Sequence, residues 1–166
     1  SKPENATPIC ESLIEWMKGT NENNIFSIMG ALTDALEFCQ IDDSVPSEMC
    51  SFVLSSADSI KDPDLQQNVS YFLALLCRNF PQQIELVQQV MPSVINWWEK
   101  ALYKKIGFQE VLANIASLFL SYAILDQTFS EKLIVGALQQ FPITVDLLES
   151  ETMCSSMITI IEKNNP

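Results

Sequence analysis

Residues 62–76 read DPDLQQNVSYFLALL, which predicts the start and one buried face of an α-helix. Asp62 is a favourable N-cap, and the proline after it stands where a helix needs no backbone N–H. Apolar side chains then recur at offsets of 0, 4, 7, 8 and 11 residues, the spacing of one helical face. They are Leu65, Val69, Phe72, Leu73 and Leu76. We call this five-position pattern the template.

The template recurs along the chain. It is occupied in full by Val111, Ile115, Leu118, Phe119 and Tyr122. It fits twice more, with one apolar position lost each time, at Ile25, Met29, Leu32, Thr33 and Leu36 and at Ser150, Cys154, Met157, Ile158 and Ile161. The four first positions are 40, 46 and 39 residues apart. A period of roughly 40 to 47 residues is typical of HEAT and armadillo repeats. We therefore predict an all-α fold, a HEAT-type superhelix of about four helical hairpins.

Proline, glycine and polar runs divide the chain into eight predicted helices, an outer and an inner helix for each hairpin. The predicted boundaries are Thr7 to Gly19, a second helix ending near Cys39, Ser44 to about Ile60, a fourth capped by Asp62, Gln82 to about Ala101, a sixth after Gly107, Ser130 to Phe141, and Asp146 to about Lys163. Pro92 should lie inside the fifth helix, and Pro142 should stop the seventh. Trp97 and Trp98 should not both face the core, so one ring is expected at a repeat junction or in solvent.

Composition favours a single domain over residues 1–166, because 48% of the side chains are hydrophobic and no linker interrupts them. No apolar run approaches the ~18 residues that a membrane span needs, and no signal segment opens the chain. The chain begins at Ser1, and its last predicted helix runs almost to the end. We expect a fragment of a larger solenoid.

The residues for catalysis are scarce. There is no histidine, so the commonest general base and metal ligand is missing. The four glycines are isolated and form no phosphate-binding loop. The five cysteines are scattered and lack the spacing of a zinc or redox motif, which favours buried thiols in a reducing compartment over a reactive or disulfide role. We predict no enzymatic activity, no metal and no cofactor.

Charge points to a protein partner. The net charge is −12, and residues 1–64 hold 12 acids and 3 bases. Such a field repels nucleic acid and attracts basic protein segments. If the inner helices line one concave side, Asp34, Glu37, Asp64 and Glu110 would form an acidic strip that binds protein. The alternative is that each carboxylate only complements a helix dipole and keeps the surface soluble.

Residues 138–149 read LQQFPITVDLLE, residues 34–39 read DALEFC, and Asn68 and Asn114 stand three residues after the first template positions of their helices. These stretches resemble the carboxy-terminal HEAT repeats of the importin-beta (karyopherin-beta) superfamily. Residues 138–149, LQQFPITVDLLE, are similar to the family's leucine-proline-leucine segment followed by an acidic residue and then glutamate. Residues 34–39, DALEFC, are similar to an acidic helix end, and Asn114 resembles an asparagine that recurs in inner helices, with Asn68 as its counterpart one repeat earlier. Gln67 departs from the family, which often has arginine there, and Phe141 replaces the expected leucine.

The resemblance implies a nucleocytoplasmic transport receptor found in cytoplasm and nucleus. Such receptors bind cargo inside a solenoid, contact the phenylalanine-glycine repeats of nuclear pores, and load or release cargo when the GTPase Ran binds. The family's principal Ran-binding repeats would lie outside this fragment. The partners implied here are cargo proteins with basic segments, with neither nucleic acid nor a membrane involved. A generic HEAT scaffold or adaptor subunit of a protein complex is the alternative.

Overall fold

The computed structural model describes residues 5–104, 107–141 and 147–164, with the backbone alone for 22–23, 147–149 and 164. Helices account for most of the described chain, which confirms the all-α prediction. The α-helices are α1 Thr7–Lys18, α2 Glu22–Phe38, α3 Ser44–Ser56, α4 Pro63–Asn79, α5 Ile84–Lys104, α6 Gln109–Leu125, α7 Glu131–Leu138 and α8 Leu147–Asn164. Two short 3-10 helices, Ala57–Ser59 and Pro81–Gln83, precede the turns into α4 and α5.

The helices pack in two layers. The inner layer is the series α2, α4, α6 and α8, in which each helix packs against the next. The outer layer is formed by α1, α3 and α5, also packed in series, and α7 rests on α6. Among the described helices, the most extensive contact is between α4 and α6, at the centre of the inner layer.

Burial explains why α4 and α6 lie at the centre. All ten template residues of these two helices are buried. The segment 111–122 of α6 is buried at every position, because α4, α5, α7 and α8 all contact this helix. A helix covered on all sides needs apolar or small residues all round. The sequence of α6 supplies them as alanines and serines between the large side chains.

A close approach brings α2 and α4 together. The Asn68 side-chain Nδ2 donates a hydrogen bond to the backbone oxygen of Phe26 at 2.9 Å. A Cβ at Gly30 would lie 3.4 Å from that same Nδ2, so the glycine leaves room for the contact. Asn114 stands at the same distance from the first template residue of α6 as Asn68 does in α4, yet its Nδ2 donates to Glu110 O in its own helix. The two asparagines therefore serve different contacts.

The template fits α2 but is wrong by one residue in α8. In α2, Thr33 and the three apolar positions after Ile25 are buried. In α8 the predicted Cys154, Ile158 and Ile161 are exposed, whereas Met153 and Ser156 are buried. The buried face thus lies one residue earlier than predicted. Because many residues of α8 are small or polar, its sequence does not decide between two neighbouring choices of buried face. Packing against α6 selects one of them.

The tryptophan prediction was wrong in part, because both rings are buried at 3% exposure. Adjacent helical residues differ by about 100° in direction, so both are buried only when α5 is covered on two sides. Trp98 packs on Phe119 of α6 with ring centroids 5.3 Å apart. Its ring also lies 3.3 Å from where a Cβ of Gly136 in α7 would be. Trp98 therefore sits where α5, α6 and α7 meet.

Most helix boundaries agree with the predictions. Asp62 caps α4 by accepting from the backbone N–H of Asp64 and Leu65, and Pro92 lies inside α5. The seventh helix is shorter than predicted and ends at Leu138, followed by turns. Phe141 precedes a proline, which disfavours helical backbone at that position. The predicted stop at Pro142 and cap at Asp146 lie outside the described residues.

All five cysteines are free thiols. Cys10, Cys50 and Cys77 are buried, as predicted, but Cys39 is half-buried and Cys154 is exposed. Burial raises the pKa of the Cys50 thiol to about 12. Such a thiol stays protonated at neutral pH and is a poor nucleophile.

The register of α8 can be tested with two substitutions. Met153→Ala should lower the free energy of unfolding by about 2–5 kcal/mol, because the side chain is fully buried. Ile158→Ala should change it by less than about 0.5 kcal/mol, because this side chain is 57% exposed. Urea denaturation followed by circular dichroism measures both. A larger loss for Ile158→Ala than for Met153→Ala would contradict the observed register.

Candidate protein-binding site

The carboxyl ends of the inner helices meet at one edge of the layer. Glu37 of α2, Asn79 of α4, Leu125 of α6 and Thr159 of α8 all line one open groove of about 480 Å³. α2, α4 and α6 contribute residues of their last turns to the groove, so these three helices run parallel, and α8 contributes residues from its middle. We call it the carboxyl-edge groove. Its lining residues are Glu37, Leu75, Cys77, Arg78, Asn79, Pro81, Ser121, Ile124, Leu125, Thr152, Ser155, Ser156 and Thr159.

Parallel helices give this edge a negative electrostatic character. Each helix carboxyl end carries the equivalent of about half a negative charge on its unpaired carbonyls. Arg78 in α4 and Lys163 in α8 lie in the last turns and offset this charge. No basic residue stands in the last turn of α2 or α6. The edge therefore favours a cation near the ends of those two helices.

Glu37 adds a full negative charge at this edge. It is half-buried, one residue before the end of α2. The hydroxyl of Tyr71 in α4 donates a hydrogen bond to Glu37 Oε2 and fixes the carboxylate against the groove wall. Asp34 lies one turn earlier on α2 and is exposed. Burial, and then the nearby Glu37 charge, raise the pKa of the Asp34 carboxyl above its usual value.

The other two predicted site residues lie elsewhere. Asp64 and Glu110 are both exposed, in the first turns of α4 and α6. The 14 residues between Asp64 and Arg78 correspond to about 21 Å along the axis of α4. The predicted four-residue strip is therefore split into a pair at the carboxyl edge and a pair at the amino edge.

The direction of the helix dipole distinguishes the two interpretations of these carboxylates, which are protein binding and simple stabilisation of a helix end. At a helix amino end a carboxylate is stabilised by the dipole, so Asp64 and Glu110 need no further role. At the carboxyl end of α2 the dipole opposes Glu37 and Asp34, by about 0.3–1 kcal/mol for an exposed group. Neither residue forms an ion pair within the described part of the chain, where Lys18 pairs with Glu15 and Glu48. An unpaired acidic pair at the unfavourable end is the better candidate for binding.

Two further residues that line the groove, Arg78 and Ser121, were not predicted from the sequence. Arg78 places its guanidinium carbon 6.0 Å from the centroid of the Tyr71 ring, and its Nη1 3.4 Å from Ser117 Oγ. The Ser121 hydroxyl is buried in the floor without a hydrogen-bond partner. The one available signal was Arg78 itself, a lone base that directly follows the apolar run of α4.

Thiol chemistry is disfavoured in the groove. Cys77 lines it, and burial raises the pKa of this thiol to about 12, although the neighbouring Arg78 acts in the opposite direction. A thiol that stays protonated at neutral pH is a poor nucleophile. The groove therefore offers charge, hydroxyls and backbone carbonyls to a ligand.

A second, larger cleft of about 710 Å³ separates α5 from α7 in the outer layer. Trp98 and Gly136 form its base, and the half-exposed Leu102 and Val135 line it. Glu99, Glu131 and Lys132 stand at its rim. Its charges are mixed, and it contains none of the four predicted site residues. The carboxyl-edge groove is thus the better match to the predicted basic partner.

Comparison of the sequence with family models, curated proteins and solved structures gives no significant match. In the part of the chain that the structure describes, no helix is long and apolar enough to cross a bilayer. The function of the groove must therefore be argued from its own geometry and charge.

The coupling between Asp34 and Glu37 predicts a specific pH response. The folded state should release the Asp34 proton at a higher pH than the usual 3.8. A raised carboxyl pKa means that the folded state binds this proton more tightly than the unfolded state, so Asp34 destabilises the fold above that pH. Glu37→Gln should lower the pKa of Asp34 only in part, because burial remains the larger cause. Carboxyl-carbon NMR titration measures the pKa of Asp34. Asp64→Asn is the control, and it should leave the pKa of Asp34 unchanged.

Proposed function

We propose that this chain is a protein-binding segment of an importin-beta-like nuclear transport receptor, which binds basic segments of cargo in Ran-dependent transport. The observation that supports it best is the Asp34–Glu37 pair at the carboxyl end of α2. Its charges oppose the helix dipole, lack a basic partner among the described residues, and adjoin an open groove. The same residues belong to the stretch 34–39 that resembles an acidic helix end of importins.

The packing order supports a HEAT-type solenoid as the architecture. Inner helices contact the next inner helix, and α1, α3 and α5 contact one another in series. In a solenoid each repeat contacts its neighbours, and the stacked hairpins share a continuous core. Of the four proposed hairpins, α1/α2 and α5/α6 pack helix against helix, whereas α3/α4 and α7/α8 have at most weak contacts between their two helices. Such an array presents one long inner edge, along which an extended partner can make many modest contacts.

Binding would depend on long-range attraction and on local pairing. A net charge of −12 speeds the approach of a basic segment, most strongly at low salt. At the groove, a lysine or arginine of the partner would pair with Glu37, whose carboxylate Tyr71 already orients. Preorganisation of this kind lowers the entropic cost of the contact. The mechanism involves binding alone, and no bond is made or broken.

The remaining parts of the proposal rest on the resemblance to the importin-beta superfamily. Ran would act mainly through repeats outside this chain, and phenylalanine-glycine repeats of the nuclear pore would be further partners. The protein would then operate in cytoplasm and nucleus. A scaffold of the same architecture would bind its partner without regard to Ran, so Ran dependence distinguishes the two functions.

Paired substitutions of glutamate test the site. Glu37→Gln should weaken binding of a fluorescent lysine- and arginine-rich peptide about three- to tenfold, since it removes a charge-assisted contact. Glu110→Gln, the same change at the amino edge of the layer, should weaken it less than twofold. Fluorescence anisotropy at two salt concentrations gives both affinities. Equal losses for the two variants would contradict a carboxyl-edge site and indicate a diffuse charge effect.

A further inference from the structure

The carboxyl-edge groove contains a cation that the proposed function leaves unused. Arg78 is half-buried, and its contacts within the described chain are the neutral Ser117 hydroxyl and the face of Tyr71. No carboxylate in the described residues lies within ion-pair distance of it. The chain has 21 acids against 9 bases, so a carboxylate partner would have been easy to supply. A half-buried guanidinium without one retains unused N–H donors.

Ser121 supplies a second, independent sign of an unfilled polar position. Serine and threonine inside a helix commonly donate to the carbonyl four residues earlier. Thr33, Ser70 and Ser155 each do so here. Ser121 does not, and its hydroxyl is buried without any partner while the residue lines the groove. Leaving such a hydroxyl unpaired is costly unless a ligand or solvent pairs with it.

Tyr71 holds the two charges of the groove apart. Its hydroxyl binds Glu37, and Arg78 lies over its ring. Glu37 and Arg78 therefore both contact one side chain, Tyr71, and do not pair with each other. The groove presents a fixed acid and a fixed base at neighbouring positions. Alternate residues of an extended peptide, about 7 Å apart, can reach two such positions at once.

We propose that the carboxyl-edge groove recognises a peptide segment in which a basic residue is followed closely by one oxyanion, either a carboxylate or a phosphoryl group. The basic residue pairs with Glu37, and the oxyanion accepts hydrogen bonds from Arg78 with Ser121 beneath it. A guanidinium binds such groups through two parallel hydrogen bonds. This inference rests on the proposed function and specifies its ligand.

The surrounding charge limits the ligand to a single oxyanion. The carboxyl ends of the helices and the net charge of −12 both oppose a polyacidic segment. Lys163 lies at the same edge, where its Nζ donates to the carbonyl of Ile124 at 3.0 Å, and it offsets part of this field. A peptide with one anionic group beside one or more basic residues suits both the negative field of this edge and the positive side chains that lie within it.

Three peptides of equal length and the same basic residues test the inference. They differ at one position, which is alanine, glutamate or phosphoserine. With the unmodified chain, at least one anionic peptide should bind about tenfold more tightly than the alanine peptide, as expected for a charge-assisted hydrogen bond. Arg78→Gln should abolish that gain, so that neither anionic peptide binds more tightly to the variant than the alanine peptide does. Lys100→Gln, an exposed charge on α5, should keep the gain.

Two further variants keep the test decisive if Arg78→Gln fails to fold. Arg78→Lys keeps the charge but loses the paired N–H geometry, so the gain should fall severalfold. Ser121→Ala should reduce the gain while retaining or raising the melting temperature, because it removes an unpaired buried hydroxyl. A role in folding alone would not move the two readouts in opposite directions.

The outcomes separate the two proposals. A gain for glutamate and phosphoserine, or for phosphoserine alone, supports the inference and identifies the source of the oxyanion. Binding of the alanine peptide with no gain from either anion overturns the inference and leaves the proposed function intact. If an anionic peptide still binds the Arg78→Gln variant more tightly than the alanine peptide does, the anion binds elsewhere, and the inference is also overturned. If no peptide binds, both proposals fail.

Discussion

The packing of α4 against α6 is the contact on which the rest of the structure depends. Both helices carry the same apolar template, and every one of its positions is buried. Each of the two helices contacts the next inner helix outward, α2 on one side and α8 on the other. Because α4 and α6 run parallel, their carboxyl ends meet at one edge. The groove and its charges are consequences of that alignment.

Parallel alignment also gives the inner layer an electrical polarity. Carboxylates at the amino edge are stabilised by the helix dipoles, and cations at the carboxyl edge are stabilised in the same way. Four residues lie at the helix end where the dipole stabilises their charge, namely Asp64, Glu110, Arg78 and Lys163. Asp34 and Glu37 lie towards the end where the dipole opposes their charge. These two carboxylates lie at the end of α2 where the dipole opposes their charge and beside an open groove, which is why we propose them as the binding site.

The sequence predicted the helices well and the site in part, for physical reasons that differ. Helix starts such as Asp62-Pro63 depend on local chemistry, and the burial of α4 depends on a strong periodic pattern. In α8, Ser150 and Cys154 weaken the pattern, so the register depends on contacts with α6. Trp98 is buried through α7, a contact distant in sequence.

The site shows the same division between local and distant causes. Glu37 was predicted from its charge and from the acidic stretch around it. Its hydrogen bond to Tyr71 joins residues 34 positions apart, and the contact of Arg78 with Ser117 joins residues 39 apart. Such pairs depend on how far one helix slides along another. A sequence pattern does not contain that information. The predicted acidic strip therefore combined residues from both edges of the inner layer.

We propose that this groove serves Ran-dependent transport of basic cargo. The most direct test uses the natural full-length protein bound to a basic peptide whose binding Glu37→Gln weakens. Ran loaded with GTP should change the affinity for that peptide at least tenfold, by release or by loading, and Ran loaded with GDP should not. No change with either form, while the protein stays folded and still binds the peptide, would contradict transport and leave a HEAT-repeat scaffold.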